Sequence, residues 1–120
     1  MNIEELREYC LQKKGATESF PFGEQTLVFK VGDKIFLLTG LDSQPLSFNV
    51  KCDPETAIEL REQYPHGIFP GFHMNKKHWN TIILNGEITS DHAKEMISHS
   101  YELVFNSLSS KIRNDIANNY

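Results

Sequence analysis

Long apolar runs are missing from this chain. None approaches the roughly 18 residues needed to cross a bilayer, so the sequence offers no membrane-spanning segment. The first residues, Met1-Asn2-Ile3-Glu4-Glu5, carry no basic stretch and no apolar one behind it, so they do not read as a signal peptide. Cysteine is scarce: Cys10 and Cys52 stand far apart and outside any CxxC or CxxH spacing. That pattern points to reduced thiols in a cytoplasmic protein rather than to a disulfide. A basic excess is lacking too. The formal net charge of −4 and the pI near 5.7 argue against a protein wrapped in nucleic acid, but leave room for one basic patch. Linkers, internal repeats and low-complexity stretches are absent, so the 120 residues read as one domain, with 109–120 expected as a loosely packed C-terminal tail. A hydrophobic content of 39% with eight Phe is enough to fill a single core without staples.

One absence is local. Residues 65–86 contain no Asp or Glu, although the chain as a whole is acidic. Within that run lies Pro70-Gly71-Phe72-His73-Met74-Asn75-Lys76-Lys77-His78-Trp79, which holds the only tryptophan. Clearing acids from one segment leaves a local positive potential there, whatever the net charge.

The periodicities predict an order of helix, three or four strands, helix, strand, helix. Asn2 and Glu5 read as a capping box for a first helix that buries Ile3, Leu6 and Cys10 and ends near Lys14, before Gly15. Thr26 to Val31 and Lys34 to Thr39 flank Gly32-Asp33 and should form a hairpin. Leu46 to Lys51 alternates cleanly, and Ser19 to Phe22 is a short edge-strand candidate because of Pro21. Asp53-Pro54-Glu55 starts a second helix with Ala57, Leu60 and Tyr64 inward. Trp79 to Leu84 reads as a strand. Thr89 or Ser90 caps a long helix whose stripe runs through Ala93, Met96, Ile97, Ser100, Tyr101, Val104, Phe105 and Leu108. The expected product is a two-layer α+β domain with an antiparallel sheet, one face under the helices and one face open.

Catalytic constellations are absent: no GxSxG, Walker loop, GxGxxG or HExxH occurs. His66, His73 and His78 have spacings that match no standard zinc pattern, and His92 and His99 lie two helical turns apart. These histidines read as surface or hydrogen-bonding residues, and Glu4, Glu5 and Glu8 as a solvated face rather than an iron-binding ridge. No metal and no cofactor are expected.

The segment from Pro70 to Trp79, with Lys51-Cys52-Asp53-Pro54 before it and Ser100-Tyr101-Glu102-Leu103-Val104 after it, resembles the MmcQ/YjbR family. Phe20-Pro21-Phe22-Gly23 and Val28-Phe29-Lys30-Val31 are similar to that family as well, so the resemblance spans essentially the whole chain. It implies a frataxin-like (CyaY-like) α+β fold and DNA binding through a double-wing motif. It implies no catalytic residues, hence a non-enzymatic protein.

The residues that would carry DNA binding are Lys30, Lys34, Lys51, Lys76 and Lys77 for phosphates, and His73, His78, Trp79 and Phe72 for unpaired bases. Five lysines give a salt slope of at most about −4.5 on duplex DNA. Structural roles compete with these: Trp79 begins a strand and can be core, and His73 and Asn75 can hold the loop backbone. A second reading starts from Lys34-Ile35-Phe36-Leu37-Leu38, where alternation fails. If Phe36 and Leu38 lie on the open sheet face, they call for a protein or peptide partner or a second copy; otherwise the chain's own tail or a loop covers them.

Overall fold

A computed structural model describes residues 1–119. The first helix, α1 (Ile3–Leu11), starts where its cap predicts, with the Asn2 carboxamide oxygen accepting from the Glu5 amide at 2.8 Å. It ends three residues short of Lys14, and the chain turns through Gly15 at a φ of 73°. The strands are β1 (Thr17–Ser19), β2 (Thr26–Val31), β3 (Lys34–Gly40), β4 (Ser47–Lys51), β5 (Ile68–Pro70) and β6 (Trp79–Ile83). The helices are completed by α2 (Pro54–Gln63), α3 (Ser90–Ser107) and α4 (Ser110–Asn119).

The six strands form one antiparallel sheet in the order β1-β2-β3-β4-β6-β5. Gly32 (φ 57°) and Asp33 (φ 64°) make the β2–β3 turn, the two positive dihedrals that a tight hairpin demands. β1 lies at an edge as expected but closes two residues before Pro21. β5 was not foreseen. It is three residues long and ends in proline, too short to show an alternation.

Registers fix which side chains share a face. Phe29, Leu37, Val50 and Asn80 form one cross-strand row, and Leu27, Thr39, Phe48, Ile82 and Ile68 the next. Both rows lie under the helices, where Leu6 and Cys10 of α1 and Ala93, Ile97 and Val104 of α3 complete the core. Ser100, fully buried on α3, ties helix to sheet: its hydroxyl donates to the Phe36 carbonyl and accepts from the Lys51 amide at 2.8 Å. Among the described residues no helix is long and apolar enough to cross a membrane.

Two expectations are corrected. The register slips at Phe29/Lys30, so Leu37 pairs with Phe29 and Ile35 with Lys30, leaving Phe36 as the extra residue of a β-bulge. The slip turns Phe36 as well as Leu37 toward the helices. Phe36 is 0% exposed, against Phe29 and edge-on to Tyr101 at 5.4 Å between centroids. It is a core residue, and no partner needs to cover it. The expected loose tail is likewise a helix. The Ser109 hydroxyl accepts from the Ile112 amide at the start of α4, and Leu108 and Ile116 enter the core. A Cβ placed on Gly32 would come within 2.7 Å of Leu108 Cδ1, so the β2–β3 turn lies directly against this segment. The last residue of the expected tail, Tyr120, lies outside the described residues.

Candidate functional site

The face of the sheet away from the helices carries the second set of alternate residues. Ser19, Val28, Leu38, Asn49, Thr81 and Phe69 make one continuous cross-strand row. Lys30 beside Thr17 and Ile35, and Lys51 beside Trp79, stand two residues further along their strands on the same face.

Two loops rise over this row. The β1–β2 loop brings Phe22 and the β5–β6 loop brings Phe72, 65% and 52% exposed, although large aromatic rings are ordinarily well covered. Between them lies a cleft of about 420 Å3 lined by Phe22, Leu38, Asn49, Phe72, His73 and Met74. That volume falls in the range of roughly 300–1,000 Å3 typical of small-ligand sites. Leu38 contributes to the cleft lining but is only 8% exposed, too little to act as an open apolar patch. One face of Phe72 leans on Phe69, with centroids 6.2 Å apart and planes 23° from parallel.

The β5–β6 loop is held from several sides, so its aromatic tip has a defined place. The Phe72 amide donates to Thr81 Oγ1 at 3.0 Å, and that hydroxyl donates to Asn49 Oδ1. The Asn75 carboxamide accepts from the Lys77 amide at 2.9 Å, the loop-holding role foreseen for it. Arg61 on α2 donates to Asn80 Oδ1 at 2.7 Å and to the carbonyls of Lys76 and Trp79. Gly71 is indispensable to the fit, because a Cβ there would sit 2.8 Å from Trp79 Cβ. His73 at the tip has a φ of 58°, a left-handed dihedral uncommon for a residue other than glycine.

The residues singled out in the sequence are only partly brought together. His73, Lys76 and Lys77 are exposed on the loop, and His78 and Trp79 are half-buried at its base. Lys76 Nζ donates to the Gly71 carbonyl at 3.0 Å, so part of its donor capacity serves the loop. Lys30 and Lys51 lie on the open face, as expected from alternation. Lys34 does not: it pairs with Val31, a fully buried core residue, and stands exposed at the hairpin end. Sequence reasoning missed Asn49, Thr81 and Arg61, whose roles depend on pairings far apart in the chain. Phe22 was legible only as part of a quoted motif.

A smaller cavity of about 190 Å3 opens on the helix side, lined by residues that include Leu60, Cys52, His92, Met96 and His99. Burial, reinforced by the charge of Asp53, pushes the Cys52 thiol up to about 11, and burial pushes Cys10 up to about 12. Both thiols are free and held protonated, hence poor nucleophiles. Among the described residues no three His, Cys, Asp or Glu side chains converge to hold a metal ion.

Comparison with known proteins gives consistent relatives. The YjbR family model matches residues 11–103. The uncharacterized protein YbdF of Escherichia coli O157:H7 is 39% identical over 93 residues, 77% of this chain and 75% of that protein. The uncharacterized protein YjbR of Escherichia coli K12 is 32% identical over 109 residues, 90% of this chain and 91% of that one. Among solved structures, the crystal structure of Deinococcus radiodurans protein DR2400, with a DUF419 domain, superposes with a TM-score of 0.92. It is 36% identical and covers 97% of this chain and 88% of its own. A crystal structure of a Pseudomonas syringae protein gives 0.72 at 27% identity, over 87% of this chain and 99% of its own.

Proposed function

This chain belongs to the YjbR family, and from that premise we propose that it is a non-enzymatic binding module that takes single-stranded nucleic acid across the open face of its sheet. The observation that supports this reading most is the pair of exposed rings, Phe22 and Phe72, standing over one cleft with the acid-free loop beside it. Exposed aromatic rings over a sheet offer stacking surfaces to unpaired bases, and every base has a face to stack. Lys30, Lys51, Lys76 and Lys77 supply positive charge along the same side for the backbone. A duplex suits the surface less well, because its bases are already stacked and the rings would stand unused. The apolar pair that favoured a peptide partner is gone: Phe36 lies in the core and Leu38 is buried.

Four lysines bound the salt dependence: the slope of log K against log salt for a single strand is no steeper than about −3. Fluorescence anisotropy with a labelled single strand at low and moderate salt measures it. A Lys51→Glu/Lys77→Glu variant binds more weakly and with a shallower slope. No binding at low salt, or binding indifferent to both the salt and the charge reversal, contradicts the proposal. Saturable binding of an unstructured peptide, with none of nucleic acid, transfers the face to a protein partner.

A further inference from the structure

On the helix side, α2 and α3 meet at two places and part between them. At one end His99 Nε2 accepts from the Asp53 amide at 3.4 Å, where α2 begins. At the other the His92 ring packs on Tyr64, which closes α2, with centroids 5.0 Å apart. The floor follows from the sheet order: α2 rests on β5, α3 on β3 and β4, and β6 runs between β4 and β5. The cavity of about 190 Å3 is this gap, floored by Val50, Asn80 and Ile82 and walled by Leu60 and Met96. Asn80 is its polar feature, 1% exposed in a cross-strand row that is otherwise apolar. Arg61 carries donors only, so the carboxamide oxygen is the end that accepts from its Nε at 2.7 Å. That contact anchors Arg61 and uses nothing of the amide nitrogen. Nδ2 has no partner among the described residues and is not sealed off, so its hydrogens open on the cavity.

We infer that this gap is a second binding site, for a small neutral molecule that puts an apolar ring between α2 and α3 and a carbonyl or similar acceptor on Asn80 Nδ2. Apolar walls with one placed polar group are the usual make-up of a small-ligand site. An apolar cavity of about 150 Å3 holds benzene, so this one has room for a single substituted ring. Charge argues for a neutral ligand. Glu95 stands exposed at the mouth, Lys51 turns to the open face, and Arg61 is committed to Asn80 and the β5–β6 loop. A ligand without an acceptor would cover the Asn80 donors and leave them unpaired, which costs binding. The site lies on the opposite face of the sheet from the strand-binding cleft and does not depend on that reading.

The test titrates the chain by NMR with acetophenone, a ring bearing a carbonyl, and with ethylbenzene, similar in shape without one. Acetophenone is expected to give saturable shifts at Asn80, Met96 and His99 and to move the Asn80 side-chain amide protons downfield. Asn80→Asp keeps the oxygen that Arg61 needs and removes the donors. The affinity ratio of acetophenone to ethylbenzene falls in that variant by about threefold or more, as expected for one neutral hydrogen bond. Comparing ratios cancels the different aversion of the two probes to water. Leu60→Trp fills the gap and abolishes binding of both, with melting curves confirming that each variant is folded. No saturable shift with acetophenone, binding that survives Leu60→Trp, or a ratio unchanged by Asn80→Asp overturns the inference. If Asn80→Asp fails to fold, the side-chain protons decide, and protons unmoved at saturating acetophenone overturn it as well. Each of these results leaves the strand-binding reading intact.

Discussion

Replacing Phe22 and Phe72 together with alanine weakens single-strand binding at least about thirtyfold, since each base–ring stack contributes about 1–3 kcal/mol and two rings are lost. The fold is expected to be almost indifferent. Both rings are more than half exposed, and surface substitutions of this kind shift stability by no more than about 0.5 kcal/mol. Binding and melting measured on the same double variant therefore separate a contact from a structural role. An unchanged dissociation constant would show that the strand does not pass over these rings. The two single variants should each lose about fivefold or more, and a loss confined to Phe72 would place the base beside the β5–β6 loop alone.

A second large effect concerns Phe36→Ala, which destabilises the domain by about 3–5 kcal/mol, the usual range for removing a fully buried phenylalanine. Domains of this kind have total stabilities of only about 5–15 kcal/mol, so the urea midpoint should fall by a large fraction of its value. The ring loses its contacts with Phe29 and Tyr101 and leaves a cavity under α3. A loss below about 1 kcal/mol would mean that the side chain is at the surface, and would restore the open apolar face as a docking site for a partner. The experiment thus tests whether Phe36 is available to a partner as well as probing the core.

What could be read in the sequence was what depends on near neighbours. The apolar stripe of α3 recurs every three or four residues over several turns, and a period of that kind survives any tertiary context. Asn2, Asp53 and Thr89 cap their helices as expected, because a cap is settled within three residues. Gly32-Asp33 gave the hairpin for the same reason. The features that escaped depend on distant segments. Phe36 breaks the alternation because the ladder slips against β2, and an alternation count cannot distinguish a bulge from a two-sided apolar strand. Residues 109–120 read as a loose tail, yet Ile116 packs against Gly15 and enters the core, and Ile112 and Leu108 lie against Gly32.

The candidate site divides along the same line. The acid-free loop was visible as composition, and its backbone-holding Asn75 as turn chemistry. Asn49 was visible only as an outward polar residue of an alternating strand. Its hydrogen bond with Thr81, thirty-two positions away, was not visible there. Lys34 was placed with the other lysines by residue type, and the register moved it to the hairpin end. Trp79 took the intermediate position between the two alternatives open to it, half-buried at the base of the loop and paired with Lys51.

Backbone amide shifts recorded by NMR while a short oligothymidine is added at low salt locate the ligand on this fold directly. The account predicts saturable changes at Phe22, Thr26, Leu38, Asn49, Phe72 and His73, with Met96 and His99 of α3 unmoved. Changes concentrated on the helical side, or no change at any strand concentration, would contradict it.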